Sequence, residues 1–243
     1  EMYEMYERKT SIKKKKLPAM ELFSALVKER AETGRIYIMN VDHSNEHSSF
    51  KDKVYMSNLC QEITLPTKPL QHIDDEQGEI ALCILSAINV GVIKDLDDLE
   101  ELCELAVRAL EEIIDYQAYP VKAAEISTKA RRSLGIGYIG LAHYLAKNKV
   151  KFDDSQSWKL VHDLTEAFQY YLLKASNKLA MERGACEYFD RTKYSDGILP
   201  IDTYKKDVDT IVENKLNYDW DTLREDIRTH GLRHSTLSAQ MPS

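Results

Sequence analysis

The run Ser57-Asn58-Leu59-Cys60-Gln61-Glu62-Ile63 sets an amide, a thiol and a carboxylate at alternate positions. In an extended segment successive side chains point to opposite faces, so Asn58, Cys60 and Glu62 share one face while Leu59, Gln61 and Ile63 share the other. A thiol between a hydrogen-bonding amide and a potential general base is a chemical site. The alternative reading is a lone cysteine serving as a small buried hydrophobe. In a flat strand Asn58 and Glu62 would stand roughly 13 Å apart, at ~3.3 Å per residue, too far to grip one small substrate. The segment must therefore curve, as a loop tip does, if all three act on one molecule. Its surroundings agree. Leu65-Pro66-Thr67-Lys68-Pro69-Leu70 follows, and its prolines stop any regular element. Upstream, Asp42 to Ser49 is rich in turn residues and reads as loop.

With its Leu65-Pro66-Thr67-Lys68-Pro69 tail, Asn58 to Ile63 resembles the finger loop of the class I ribonucleotide reductase large subunit. The likeness runs through Thr33-Gly34-Arg35-Ile36-Tyr37 with Asn40-Val41-Asp42-His43, and Gly78-Glu79-Ile80-Ala81-Leu82-Cys83 with Leu85-Ser86-Ala87. It continues in Arg131-Arg132-Ser133-Leu134-Gly135-Ile136-Gly137, Tyr170-Tyr171-Leu172-Leu173-Lys174-Ala175-Ser176 and Gly197-Ile198-Leu199-Pro200-Ile201-Asp202-Thr203-Tyr204. Gly231-Leu232-Arg233-His234-Ser235-Thr236-Leu237 and Met241-Pro242-Ser243 complete it. The first dozen or so residues carry no such likeness.

The resemblance implies radical reduction of ribonucleoside diphosphates to 2′-deoxyribonucleoside diphosphates, for DNA synthesis. Cys60 becomes a transient thiyl radical and takes the 3′ hydrogen atom. Glu62 is the base for the 3′ hydroxyl, which lets the 2′ hydroxyl leave as water. Asn58 hydrogen-bonds the substrate and orients that carboxylate. Ser243 opens a turn that donates toward the substrate diphosphate. A thiyl radical needs protection from water and oxidants, so a loop tip buried in a closed fold is expected.

The chain has four cysteines, none in a C-x-x-C pair, and its histidines are not spaced as zinc partners. No apolar signal opens the chain, so a reducing, cytoplasmic setting is expected, in a bacterium or a phage-infected host cell. Cys83 lies in an apolar run and reads from the residues alone as core. The resemblance makes it one of two thiols that form a disulfide in each cycle, its partner lying outside this chain. Cys103 falls on an apolar helix face beside Leu99, Leu102, Ala106 and Leu110 and reads as core. Cys186 has no assignable role.

The expected fold is α/β, a helix-rich part of the ten-stranded barrel of this family, with the cysteine on a finger loop. Residues 1–243 read as one fragment of the catalytic barrel domain, with the nucleotide-sensing domain, the first half-barrel and the C-terminal tail absent, and inactive alone. The resemblance further implies that no cofactor is bound directly. A small subunit holding two metal ions supplies the radical, thioredoxin or glutaredoxin supplies electrons, and ATP or deoxynucleotide effectors bind parts not present here. The missing segments are themselves partners, and the whole large subunit is expected as a dimer.

The net charge of −7 gives no reason to expect nucleic-acid binding, and no stretch approaches the ~20 apolar residues of a membrane span. Helices are expected over Leu17–Arg30, ended by Gly34, and over Leu96–Tyr116, Ser155–Arg183 and Asp219–Thr229. Lys13 to Lys16 decorates the start of the first helix. Arg35–Val41 and Glu79–Val90 read as strands, though a buried helix fits the second as well. Gly135-Ile136-Gly137-Tyr138-Ile139-Gly140 has dinucleotide-loop spacing but follows the polar Lys129-Ala130-Arg131-Arg132, so close packing is the better reading of its glycines. Two other functions fit less of the sequence: a non-catalytic helical scaffold or interaction fragment, and a class II or III radical reductase.

Overall fold

The computed structural model describes residues 2–213 and 215–238. The chain divides after Met39 into two units.

The first unit holds helix α1, Met2–Arg8, and helix α2, Ala19–Thr33. Pro18, whose φ is preset for a helix start, precedes α2, and Gly34 ends it in the left-handed region at φ 66. The expected helix is there, but its apolar stripe is exposed: Met20, Phe23 and Val27 face outward. Lys13 to Lys16 lies between the two helices rather than on the start of one. The strand expected over Arg35–Val41 is absent. Residues 35–40 have no regular hydrogen bonding, because extended chain becomes a strand only against a partner.

The second unit begins with helix α3, Val41–His47, where a loop was expected. Its polar side chains bond backward within the helix instead of competing with it. Ser44 Oγ donates to Asn40 O and Asn45 Nδ2 to Val41 O. The expected strand over 79–90 shortens to β1, Ile84–Asn89, followed by a 3-10 turn at Val90–Val92. Helices α4, Asp98–Tyr116, and α5, Lys122–Arg131, then carry the chain to β2, Leu134–Ile139. β1 and β2 pair in parallel with Ile84 opposite Leu134, so a helical crossover joins them. After β2 come α6, Leu141–Lys147, and α7, Ser155–Arg183. The short α8, Pro200–Thr203, and α9, Trp220–His230, lead to a last extended segment. There Leu134 N–H donates to Thr236 O and Ile136 N–H to Leu237 O, so residues 236–238 flank β2 on the side away from β1.

The helix spacing predicted an apolar face on each long helix, and these faces meet. Leu99, Cys103, Val107, Leu110 and Ile114 of α4 are buried with Leu164, Phe168, Leu172 and Leu179 of α7. Ion pairs join the helices along their surface: Glu100 with Lys174, Glu104 with Lys178, Arg108 with Glu182, and Glu112 with Arg183. Both partners step forward together, so α4 and α7 run in the same direction. That is the geometry of repeated strand–helix units, and the second unit is part of an open α/β barrel.

Gly140 is the one glycine of the G-x-G-x-x-G run with a demonstrable need. It sits at φ 82, and a Cβ there would meet Asn89 Oδ1 at 2.4 Å. The glycine lets the end of β2 close onto the end of β1.

Candidate active site

The polar trio lies on a bent loop. Gln61 N–H donates to Asn58 O at 3.2 Å, closing a turn over residues 58–61, and Gln61 itself has a φ of 64. Ile63 N–H then donates to Asn58 Oδ1 at 3.0 Å, so the chain folds back across five residues that would otherwise run straight. Asn58 thus shapes the turn with both its carbonyl and its side-chain oxygen. Cys60 sits at the apex of the bend, as the spacing required.

Burial differs from expectation at the apex. Cys60 is exposed and Leu59 is 72% exposed, because the tip of the turn projects from the second unit. Shelter begins one step further along. Glu62 is half-buried, and its Oε2 is sealed from solvent without a hydrogen-bond partner. A sealed, unpartnered carboxylate oxygen is costly.

The loop is tied down below the tip. Asn45 accepts from Val54 N–H through Oδ1 and donates to Val54 O through Nδ2, both at 2.8 Å. Val54 and Leu65 are buried, and Lys68 exchanges two backbone hydrogen bonds with Glu79.

Cys83 stands at the threshold of β1, just before the strand. Its thiol is pushed up to about 12, first by burial and second by the negative charge of Glu62. The charge of Glu62 therefore reaches Cys83. Cys83 also lines a cleft of about 210 Å³ with Thr64, Gly135, Tyr194 and Ser238, at the mouth of the parallel strands. Cys103 and Cys186 are buried, and burial pushes each thiol to about 12. Among the described residues no disulfide forms. Ser243 lies outside the described residues.

Three groupings escaped sequence reasoning. His162, Asp163 and Glu166 bring ligand-type atoms within 4.8 Å of one another. The only sequence signal was the i, i+4 spacing of His162 and Glu166 on one helix. Glu166 is already engaged by Asn217 and Trp220 Nε1, and Asp163 by Lys159. A second group centres on the fully buried Glu111, which accepts from Arg132 Nε at 2.8 Å and Arg233 Nε at 2.7 Å. His234 Nε2 donates to Glu111 at 3.0 Å while Nδ1 accepts from Ser176 Oγ at 2.9 Å. Burial works against the Glu111 charge, yet His234 and the two arginines hold its carboxyl well below the usual range. Burial also lowers His234 and keeps its ring neutral, against the pull of Glu111. The third group, around Arg131, ties the two limbs of the loop together.

Parallel strands with helical crossovers, carrying a thiol–carboxylate loop beside the strand ends, define an α/β-barrel domain. Over residues 1–243 the chain matches the family described as ribonucleotide reductase, barrel domain, and it belongs to that family. It is 60% identical to the ribonucleoside-diphosphate reductase subunit alpha of Haemophilus influenzae, 100% of this chain matching 32% of that protein. It is 59% identical to ribonucleoside-diphosphate reductase 1 subunit alpha of Escherichia coli K12, and 44% to the subunit alpha of Enterobacteria phage T4, with the same coverage. The chain therefore spans 32%, about a third, of the length of these relatives.

Proposed function

We propose that this chain is the catalytic part of a class I ribonucleoside-diphosphate reductase large subunit. Cys60 as a thiyl radical takes the 3′ hydrogen atom of the ribose, forming its S–H bond and leaving a radical at C3′. Glu62 accepts the proton of the 3′ hydroxyl, and the 2′ hydroxyl leaves as water. Cys83 and a second thiol supply two electrons and two protons and join as a disulfide. The hydrogen atom then returns from Cys60 to C3′, so the radical is regenerated and the net change is one disulfide and one water for each 2′ oxygen removed.

The observation that carries this reading is that the charge of Glu62 reaches Cys83, from a separate segment, and that Cys83 lines a cleft at the strand ends with Thr64 and Leu65 from the loop's descending limb. The sealed Oε2 of Glu62 fits a base awaiting a hydroxyl. The neutral thiol of Cys83 suits a donor of hydrogen and electrons. Asn58 contributes a directional N–H donor without charge, and Ser243 donates toward the diphosphate.

The exposed Cys60 and Leu59 imply a cover. In this reading the remaining segments of the large subunit supply it, together with the second redox cysteine, the effector sites and the dimer contact. A small subunit holding two metal ions provides the radical, and thioredoxin or glutaredoxin reduces the disulfide. Among the described residues no helix is long and apolar enough to cross a membrane, and the relatives are named from bacteria and a phage, which fits a cytoplasmic enzyme. The names of the relatives favour this class over a class II or III reductase or a scaffold.

The test is reduction of a substrate carrying deuterium at C3′ by the assembled enzyme. A primary isotope effect on turnover is expected. Product formed with no 3′ isotope effect and no exchange at C3′ would overturn the reading.

A further inference from the structure

Two arginines and two carboxylates close a ring around the base of the loop. Asp52 lies on the ascending limb and Glu79 on the descending limb. Arg131, the last residue of α5, is 2% exposed. Its Nε and Nη2 both donate to Glu79 Oε2, at 2.9 and 2.7 Å, and Nη2 also donates to Asp52 Oδ2 at 2.9 Å. Arg191 completes the ring. Its Nε pairs with Asp52 Oδ2 at 2.7 Å and its Nη2 with Glu79 Oε1 at 3.3 Å. The Tyr188 ring serves both guanidinium groups, 5.1 Å from Arg131 and 4.2 Å from Arg191.

Stability alone explains this ring poorly. Removing charges from water offsets most of what their pairing returns, and a packed apolar cluster would serve as well. Arg131 also leaves Nη1 buried without an acceptor. What the ring does provide is geometry. A flexible loop of this length costs closure entropy, and joining Asp52 to Glu79 through one guanidinium removes much of that freedom. Arg131 O accepts from Ser235 N–H, and Lys51 N–H donates to Arg191 O. The ring thereby ties both loop limbs to the segments that carry Gly135, Tyr194 and Ser238 into the cleft.

We propose that Arg131, through Asp52 and Glu79, is a positioning residue that sets where the Asn58–Glu62 turn stands relative to the cleft that Thr64, Leu65 and Cys83 line. The inference rests on the functional reading above. In the assembled enzyme, Arg131→Lys keeps the charge but loses the fork, and lowers kcat by about a hundredfold, the cost of a displacement near 1 Å. KM changes less than about threefold, because the cleft that binds substrate is intact. Hydrogen exchange over residues 53–67 quickens, while α4, α7 and β2 keep their protection. Asp52→Asn, at a half-buried site, gives the same pattern in milder form and serves if Arg131→Lys does not fold. Wild-type kcat in a folded variant with a loosened loop overturns the inference, as does loss of protection throughout the chain in Asp52→Asn. Cys60→Ser assayed alongside separates the two ideas: normal turnover there refutes the functional reading itself, whatever the arginine variants do.

Discussion

The carboxylate of Glu62 helps to hold the proton on the thiol of Cys83. Burial is the larger cause and the charge of Glu62 the second, and together they push the thiol up to about 12. The two residues come from the descending limb of the loop and the threshold of β1, and their proximity is what makes the cleft more than a groove.

Replacing Glu62 by Gln removes the negative charge and so favours the thiolate of Cys83. Its alkylation at pH 8 should quicken by roughly two- to tenfold, since burial still dominates. Pulse labelling with iodoacetamide and mass spectrometry of the Cys83 peptide reads this directly. An unchanged or slower rate would show that Glu62 does not face Cys83.

The buried group at Glu111 makes stability acid-sensitive. Its folded carboxyl lies below the ordinary value of 4.5, so its contribution is present above that pH and is lost as pH falls below it. His234 is lowered from 6.5, so the unfolded chain binds a proton that the folded chain refuses once pH drops below that value. Both effects have one sign. The urea midpoint should fall between pH 7 and pH 5, then more steeply below 4.5, and His234→Asn should remove the first part of that slope.

Glu111→Ala removes the buried acceptor that Arg132, Arg233 and His234 share, leaving Arg132 only the solvent-exposed Asp115 as a carboxylate partner. The expected cost is ~3–5 kcal/mol by urea denaturation at pH 7. By contrast Lys174→Ala, which breaks an exposed pair with Glu100, should cost less than ~1 kcal/mol.

Gly140→Ala tests the closure of β2 onto β1. The left-handed backbone and the close Asn89 side chain together predict a loss of ~1–3 kcal/mol. A variant as stable as the parent would mean that the two strand ends can part at little cost.

The legible and illegible parts of this chain divide on physical grounds. Leu99, Cys103, Leu110 and Phe168 announce α4 and α7, because burial at helical spacing is written in consecutive sequence. The bend at Asn58 to Glu62 is legible too, since a flat strand could not serve three polar groups at once. Helix α3 was not legible, because Ser44 and Asn45 read as loop residues until their side chains are seen bonding backward. The exposure of Cys60 was hidden for another reason: shelter depends on what covers the tip, not on the residues of the tip. The ring of Asp52, Glu79, Arg131 and Arg191 is scattered along the chain, and each member alone reads as ordinary surface charge.

The most direct test of the account is Cys60→Ser in the assembled large subunit, with its small subunit and a dithiol reductant. Deoxyribonucleotide formation should cease, while the unfolding free energy of this chain, in which residue 60 is exposed, shifts by no more than ~0.5 kcal/mol. Reduction at the parental rate by that variant would contradict the account.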